Sequence, residues 1–84
     1  MKLDDRKILV IGGAGFIGSH LLTELLKHDV KKVTVFDNFT RGKMSNIEEA
    51  LRDPRCRIFP SGGDIRDIDI LDQAVAGHDY VFHL

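Results

Sequence analysis

Four glycines fall within seven residues near the N-terminus: Gly12, Gly13, Gly15 and Gly18, in the stretch IGGAGFIGSH. Gly13, Gly15 and Gly18 satisfy G-x-G-x-x-G, while Gly12, Gly15 and Gly18 satisfy G-x-x-G-x-x-G. Both spacings serve one chemistry, the cradling of phosphate by backbone. The first glycine permits a tight turn out of a strand. The middle one lacks a Cβ, so backbone N–H groups can approach a pyrophosphate. The last lets a helix pack close to a sheet. A helix that opens here adds unpaired N–H groups and a partial positive charge. Glycine-rich turns are common, and a plain strand-to-helix connection is the competing reading.

Asp37 shifts the balance. It lies 19 residues past Gly18, where an acid accepts hydrogen bonds from an adenosine ribose. Glycines after a strand and before a helix, with an acid at that distance, point to dinucleotide binding. The Asp37 carboxylate suits the 2′- and 3′-hydroxyls of NAD and repels the 2′-phosphate of NADP. Arg41 and Lys43 qualify this, because a nearby cation can accept that phosphate; both also read as solvated loop charges. Further along, GDIRD carries Asp64 and Asp67. Asp64 could accept from an adenine amino group, with Ile65 as an apolar contact, or it could cap a turn. Asp67 reads as the N-cap of a following helix.

These residues need a frame. Lys7–Ile11 runs apolar without alternation, as a strand buried on both faces does. From Phe16 the period changes: Ile17, Leu21 and Leu25 recur at four, as do Leu22 and Leu26, which predicts a helix closed by Lys27 and His28. KVTVF (Lys32–Phe36) reads as a second strand, followed by the polar loop DNFTRGKMSN. Ser45 and Glu48 form an S-x-x-E capping box for a short helix through about Leu51, and Asp53-Pro54 stops it. A third strand at 56–59, a third helix at 68–75 ended by Gly77, and a fourth strand at 80–84 complete the order β-α-β-α-β-α-β. Right-handed crossovers make this the first half of a Rossmann doubly wound parallel sheet with strand order 3-2-1-4, an α/β fold. Ending at the fourth strand, it reads as an incomplete domain, a fragment or a truncated form. The edge strand and the thinly covered sheet face predict a homo-oligomer.

Composition sets the outer bounds. The chain has 84 residues, with 43% hydrophobic and 30% charged, a globular balance. A net charge of −1 gives no reason to expect nucleic acid or an anionic membrane as a partner. Cys56 is the sole cysteine, which excludes an internal disulfide and fits a reducing, cytoplasmic setting. It reads as a small buried side chain rather than a nucleophile. His20, His28, His78 and His83 follow no metal-ligand spacing, so no metal is expected. Phe36, Phe59, Tyr80 and Phe82 read as core, and Phe39 as loop packing or an adenine neighbour.

GGAGFIGSHL, VFDNFTRGKMSNI, GDIRD and DYVFHL, in that order, resemble the extended short-chain dehydrogenase/reductases. The closer likeness is to the NAD-dependent epimerase/dehydratase group that acts on nucleotide sugars, especially UDP-glucose 4-epimerases and UDP-glucuronate decarboxylases. A threonine often precedes the first glycine in that family; here the residue is Ile11. The resemblance implies pyrophosphate contacts at Gly12, Gly15, Phe16, Ile17 and Gly18. It implies ribose contacts at Asp37 and Asn38, loop contacts near Thr40, Arg41 and Gly42, adenine contacts at Asp64 and Ile65, and cofactor packing near Leu84. It further implies that NAD oxidises a sugar at C4 in the complete enzyme, before epimerisation, dehydration or decarboxylation.

The family's catalytic Tyr-x-x-x-Lys pair has no counterpart here. Tyr80 is the sole tyrosine, and the position four residues on is Leu84. Residues 1–84 are therefore expected to form a partial NAD-binding domain, with catalysis and nucleotide-sugar binding supplied by a longer protein. Two other readings stay open: an NADP-dependent reductase of the same superfamily, and a non-catalytic nucleotide-binding or association module.

Overall fold

KILVI and KVTVF are apolar on both sides, and they take the two central positions of a parallel sheet. The computed structural model describes residues 2–40, 42–60 and 64–84. β1 (Lys7–Ile11) and β2 (Lys32–Phe36) pair in parallel from Lys7↔Lys32 to Ile11↔Phe36. β3 (Cys56–Ile58) adds to β2, and β4 (Tyr80–His83) adds to β1, so the order is β3-β2-β1-β4. The connections carry α1 (Phe16–Leu26), α2 (Glu48–Leu51) and α3 (Ile68–Val75). Element order and strand order are those the sequence predicts.

Alternation along the strands divides the core in two. Ile8, Val10, Val33 and Val35 pack with Leu22, Leu25, Ile47, Ala50 and Cys56, beneath α1 and α2. Leu9, Ile11 and Phe36 pack with Ala74 of α3, flanked by Phe59, Ile70 and Leu71. The larger cluster stands between the sheet and the helix that carries the glycine motif. Apolar area removed from water there is the main force holding α1 to the strands.

Several boundaries and faces differ from expectation. The buried side of α1 is Gly18, Ser19, Leu22 and Leu25, whereas Ile17 is 73% exposed. Gly18 and Ser19 are small, so the start of α1 lies close to the loop before it, and the larger Phe16 and Ile17 turn outward. The Ser45/Glu48 capping box does not form. Ile47 is the N-cap of α2 without a side-chain hydrogen bond, and residues Met44–Asn46 form a 3-10 turn instead. This turn makes contacts with the glycine loop, described below. β3 ends at Ile58 and β4 at His83, each one residue short, although Phe59 N still donates to Val35 O (2.8 Å) and Leu84 N to Ile11 O (3.1 Å). Tyr80, Phe59 and Phe82 are half-buried at the core margin. Phe39 packs on the larger cluster, the loop-packing alternative.

The cation that closes α1 comes from far along the chain. The Arg55 guanidinium donates to Leu26 O (2.6 Å), His28 O (2.8 Å) and Val30 O (3.3 Å). It also grips Asp53, with Nε at 3.0 Å from Oδ1 and Nη2 at 2.8 Å from Oδ2. Those bonds hold the Asp53 carboxyl at about 2 against an ordinary 3.8. Asp53 is depressed in the folded state, so its contribution is whole above pH 3.8 and fades as pH falls toward 2. Arg55→Ala is expected to lower Tm by roughly 5–10 °C at neutral pH and to flatten the acid limb of the Tm profile. Thermal melts across that range check this; a neutral-pH Tm within about 2 °C of wild type would count against it.

Two further polar groups are settled by packing. His78 Nε2 lies 2.9 Å from the hydroxyl of Thr34, which is fully buried, and ties the turn after α3 to β2. Burial, aided by Lys32 and Arg57, holds the His78 imidazole below its ordinary range. Burial also pushes the Cys56 thiol up to about 11, so it stays protonated and unreactive near neutrality.

Candidate functional site

β1 delivers the chain to the glycines at the carboxyl edge of the sheet. Gly12 turns with φ +84°, donates to Phe36 O (2.8 Å) and accepts from Gly15 N (3.2 Å). Gly15 is the N-cap of α1 in an extended conformation and has no side chain with which to cap. Ser19 N is the first amide of the helix to reach back, to Gly15 O at 2.9 Å. The amides of Phe16, Ile17 and Gly18 thus open the helix without an intrahelical acceptor, as first-turn amides do. Gly18 is buried against the loop it follows. A Cβ there would collide with the Gly12 carbonyl oxygen and lie 2.8 Å from Gly13 Cα. The close approach predicted for the last glycine is present, with the loop backbone as the surface approached.

Asp37 stands just past the end of β2, beside this loop. Its Oδ1 accepts from Phe39 N (2.7 Å) and its Oδ2 from Ala14 N (3.0 Å). A carboxylate has about four acceptor directions, so two bonds leave capacity for two hydroxyl donors. Asp37 is half-buried and lines an open cleft of about 680 Å³. The same cleft is lined by Gly12, Gly15, Phe16, Ile17, Gly18, Asn38, Thr40, Gly42, Ile65 and Leu84, all residues singled out from the sequence. Its volume falls within the roughly 300–1,000 Å³ of small-molecule sites. Phe16 and Ile17 are 74% and 73% exposed at its wall, and Leu84 is 53% exposed.

Asn38 Oδ1 accepts from Thr40 N (3.0 Å), which shapes the loop beside Asp37. Arg41 lies outside the described residues. Asp64 is not part of the cleft lining. Its carboxylate accepts from Arg66 N (2.9 Å), Nε (3.0 Å) and Nη2 (2.8 Å), which holds it at about 2. It lines a shallower groove with Arg66, Asp67, Ile68 and Asp69. This is the turn-capping alternative for Asp64. Asp67 caps α3 as expected, accepting from Ile70 N at 3.2 Å.

Ile11, Phe36, Arg66 and His83 also line the cleft, and reading along the chain did not single them out for it. Ile11, Phe36 and His83 sit at the carboxyl ends of β1, β2 and β4. The rule that ligands bind at that edge was the signal that could have found them. Among the described residues, no group of three or more His, Cys, Asp or Glu is placed to hold a metal, and no helix is long and apolar enough to cross a membrane.

The model of the NAD dependent epimerase/dehydratase family matches residues 8–84. The chain belongs to that family. Over 84 aligned residues it is 44% identical to a dTDP-glucose 4,6-dehydratase of Actinoplanes sp., covering 92% of this chain and 26% of the relative. It is 32% identical to a UDP-glucose 4-epimerase of Rickettsia bellii, covering 94% of this chain and 24% of the relative. Among solved structures, the Bordetella bronchiseptica enzyme WbmF in complex with NAD+ superimposes with a TM-score of 0.82 at 37% identity, covering 100% of this chain and 24% of WbmF. The chain thus spans about a quarter of the length of these relatives.

Proposed function

We propose that residues 1–84 form the dinucleotide-binding part of a nucleotide-sugar epimerase or dehydratase, with NAD as the dinucleotide. The observation that carries this reading is the shared cleft of Asp37 and the open end of α1, two features 19 residues apart that meet at one sheet edge. The residues suit the ligand. Amides of Phe16, Ile17 and Gly18 would donate to the pyrophosphate, aided by the helix dipole. The free acceptor capacity of Asp37 would take the ribose hydroxyls, with Asn38 and Thr40 beside it. Ile65 and Leu84 offer apolar contact at the cleft wall. Asp64 would reach an adenine amino group after parting from Arg66, and the resemblance adds loop contacts near Arg41 and Gly42. Bound there, NAD supplies the oxidant for a sugar carbon, C4 in the family pattern. The proton-transfer groups and the nucleotide-sugar site would lie in further sequence of the full-length protein.

Calorimetric titration of the full-length protein with NAD and NADP tests the assignment. Binding of NAD roughly tenfold tighter than NADP is expected, because Asp37 faces the position of the extra phosphate. Tighter binding of NADP, or of neither, would overturn it. The reading includes self-association of the full-length protein as a homo-oligomer. Sedimentation as a monomer at high concentration would count against that part. It also includes a cytoplasmic setting, which suits a lone buried thiol; recovery in a membrane or secreted fraction would count against it.

A further inference from the structure

We propose that Asn46 is a positioning residue that fixes the glycine loop relative to Asp37, so that the phosphate-binding amides and the ribose acceptor stand at a set separation. The proposal rests on the dinucleotide reading above and assigns a role to a residue outside the cleft, since Asn46 is not among its lining residues.

Ala14 is the point of attachment. It sits in the middle of the glycine loop and is fully buried, so both of its backbone groups need partners. Both partners come from the segment after β2. Ala14 N donates to Asp37 Oδ2 (3.0 Å), and Ala14 O accepts from Lys43 N (3.1 Å) and from Asn46 Nδ2 (2.9 Å). The loop is therefore clasped from Asp37 on one side and from Asn46 on the other, across 23 and 32 residues of chain. The contact is close. A Cβ at Gly42 would lie 2.7 Å from Ala14 Cβ and 2.8 Å from Ala14 C, so the segment reaches Ala14 O only with a glycine there. The 3-10 turn over Met44–Asn46 brings the Asn46 amide round to the same carbonyl. One residue, through the two peptide groups that flank it, thus links the group that would hold ribose to the loop that would hold pyrophosphate. Loss of the Asn46 donor leaves Lys43 N as the remaining partner of Ala14 O and frees the loop to shift.

Two variants of the full-length protein test this. Asn46→Ala removes the donor. Asn46→Asp keeps the shape and replaces the donor with an acceptor facing the Ala14 carbonyl. Asn46 is exposed, so neither change opens a core cavity. Amide hydrogen exchange in the absence of ligand should accelerate at Ala14 and Lys43 by roughly fivefold, the worth of one hydrogen bond, while the β1 amides keep wild-type rates. The Kd for NAD, measured well below Tm where every variant is folded, should rise by roughly fivefold in Asn46→Ala and by more in Asn46→Asp. A residue that merely stabilises the fold leaves that Kd unmoved. Unchanged exchange at Ala14 and Lys43 overturns the clasp whatever NAD does. Faster exchange with an unchanged Kd overturns the positioning role. Failure of the wild-type protein to bind NAD overturns the proposed function instead, and the exchange rates then decide the clasp alone.

Discussion

Gly18→Ala is expected to abolish measurable NAD binding and to destabilise the protein, although alanine is the better helix former. Within an exposed helix the substitution would gain roughly 0.5–1 kcal/mol. Here the added methyl meets backbone, namely the Gly12 carbonyl oxygen and Gly13 Cα. Neither can rotate aside as a side-chain tip could. Either α1 lifts off its loop or the loop deforms, and overpacking of this kind costs about 1–3 kcal/mol. The clash outweighs propensity, for a net loss of about 1–2 kcal/mol. Binding suffers more than folding. The amides of Phe16, Ile17 and Gly18 occupy the turn that must move, and a charge-assisted hydrogen bond is worth about 1.5–3 kcal/mol. Misdirecting two of them lowers affinity by roughly a hundredfold or more. Calorimetry and thermal melts of the full-length variant measure both effects. NAD binding within about threefold of wild type would show that the close packing at Gly18 has no bearing on the ligand.

The second large effect is at Asp37, where two substitutions separate two duties. Asp37→Ala removes the ribose acceptor and also the partner of Ala14 N. A buried amide left unpaired costs about 1–3 kcal/mol, so this variant should lose stability as well as roughly a hundredfold in NAD affinity. Asp37→Asn keeps one oxygen, which Ala14 N can use, turns its NH2 toward Phe39 N and removes the charge. It should lose less stability than Asp37→Ala, its NAD affinity should fall by roughly tenfold, and its preference for NAD over NADP should shrink by at least that factor. Parallel titrations with the two dinucleotides read the ratio. An Asp37→Asn protein with undiminished preference for NAD would show that the carboxylate does not set cofactor choice.

Reading along the chain recovered the frame because the frame is written locally. The uninterrupted runs KILVI and KVTVF announced buried strands, and the strand order follows from crossover handedness once the elements are placed. The glycine spacing and the distance to Asp37 were legible for the same reason: each reports backbone needs of one β-α-β unit. Most of the residues expected at the site do share one cleft, since the carboxyl edge of a parallel sheet gathers its loops. Local rules failed where a distant group made a better offer. Ser45 and Glu48 match a capping box, but the chain there spends its polar groups on Ala14 O. At Asp64, where the sequence left a ligand acceptor and a turn cap both open, the neighbouring Arg66 holds the carboxylate.

The sequence by itself determined the α/β order, the glycine turn, the acid that faces it and the family. Tertiary structure decided which side of α1 is buried, that Arg55 closes that helix, and that Asn46 and Asp37 hold the glycine loop between them. Periodicity and propensity describe neighbours within a turn or a strand. Partners lying 23–32 residues apart along the chain, as at Arg55, Asp37 and Asn46, leave no periodic trace, because they meet only after the sheet has packed and left particular carbonyls and amides in need of one.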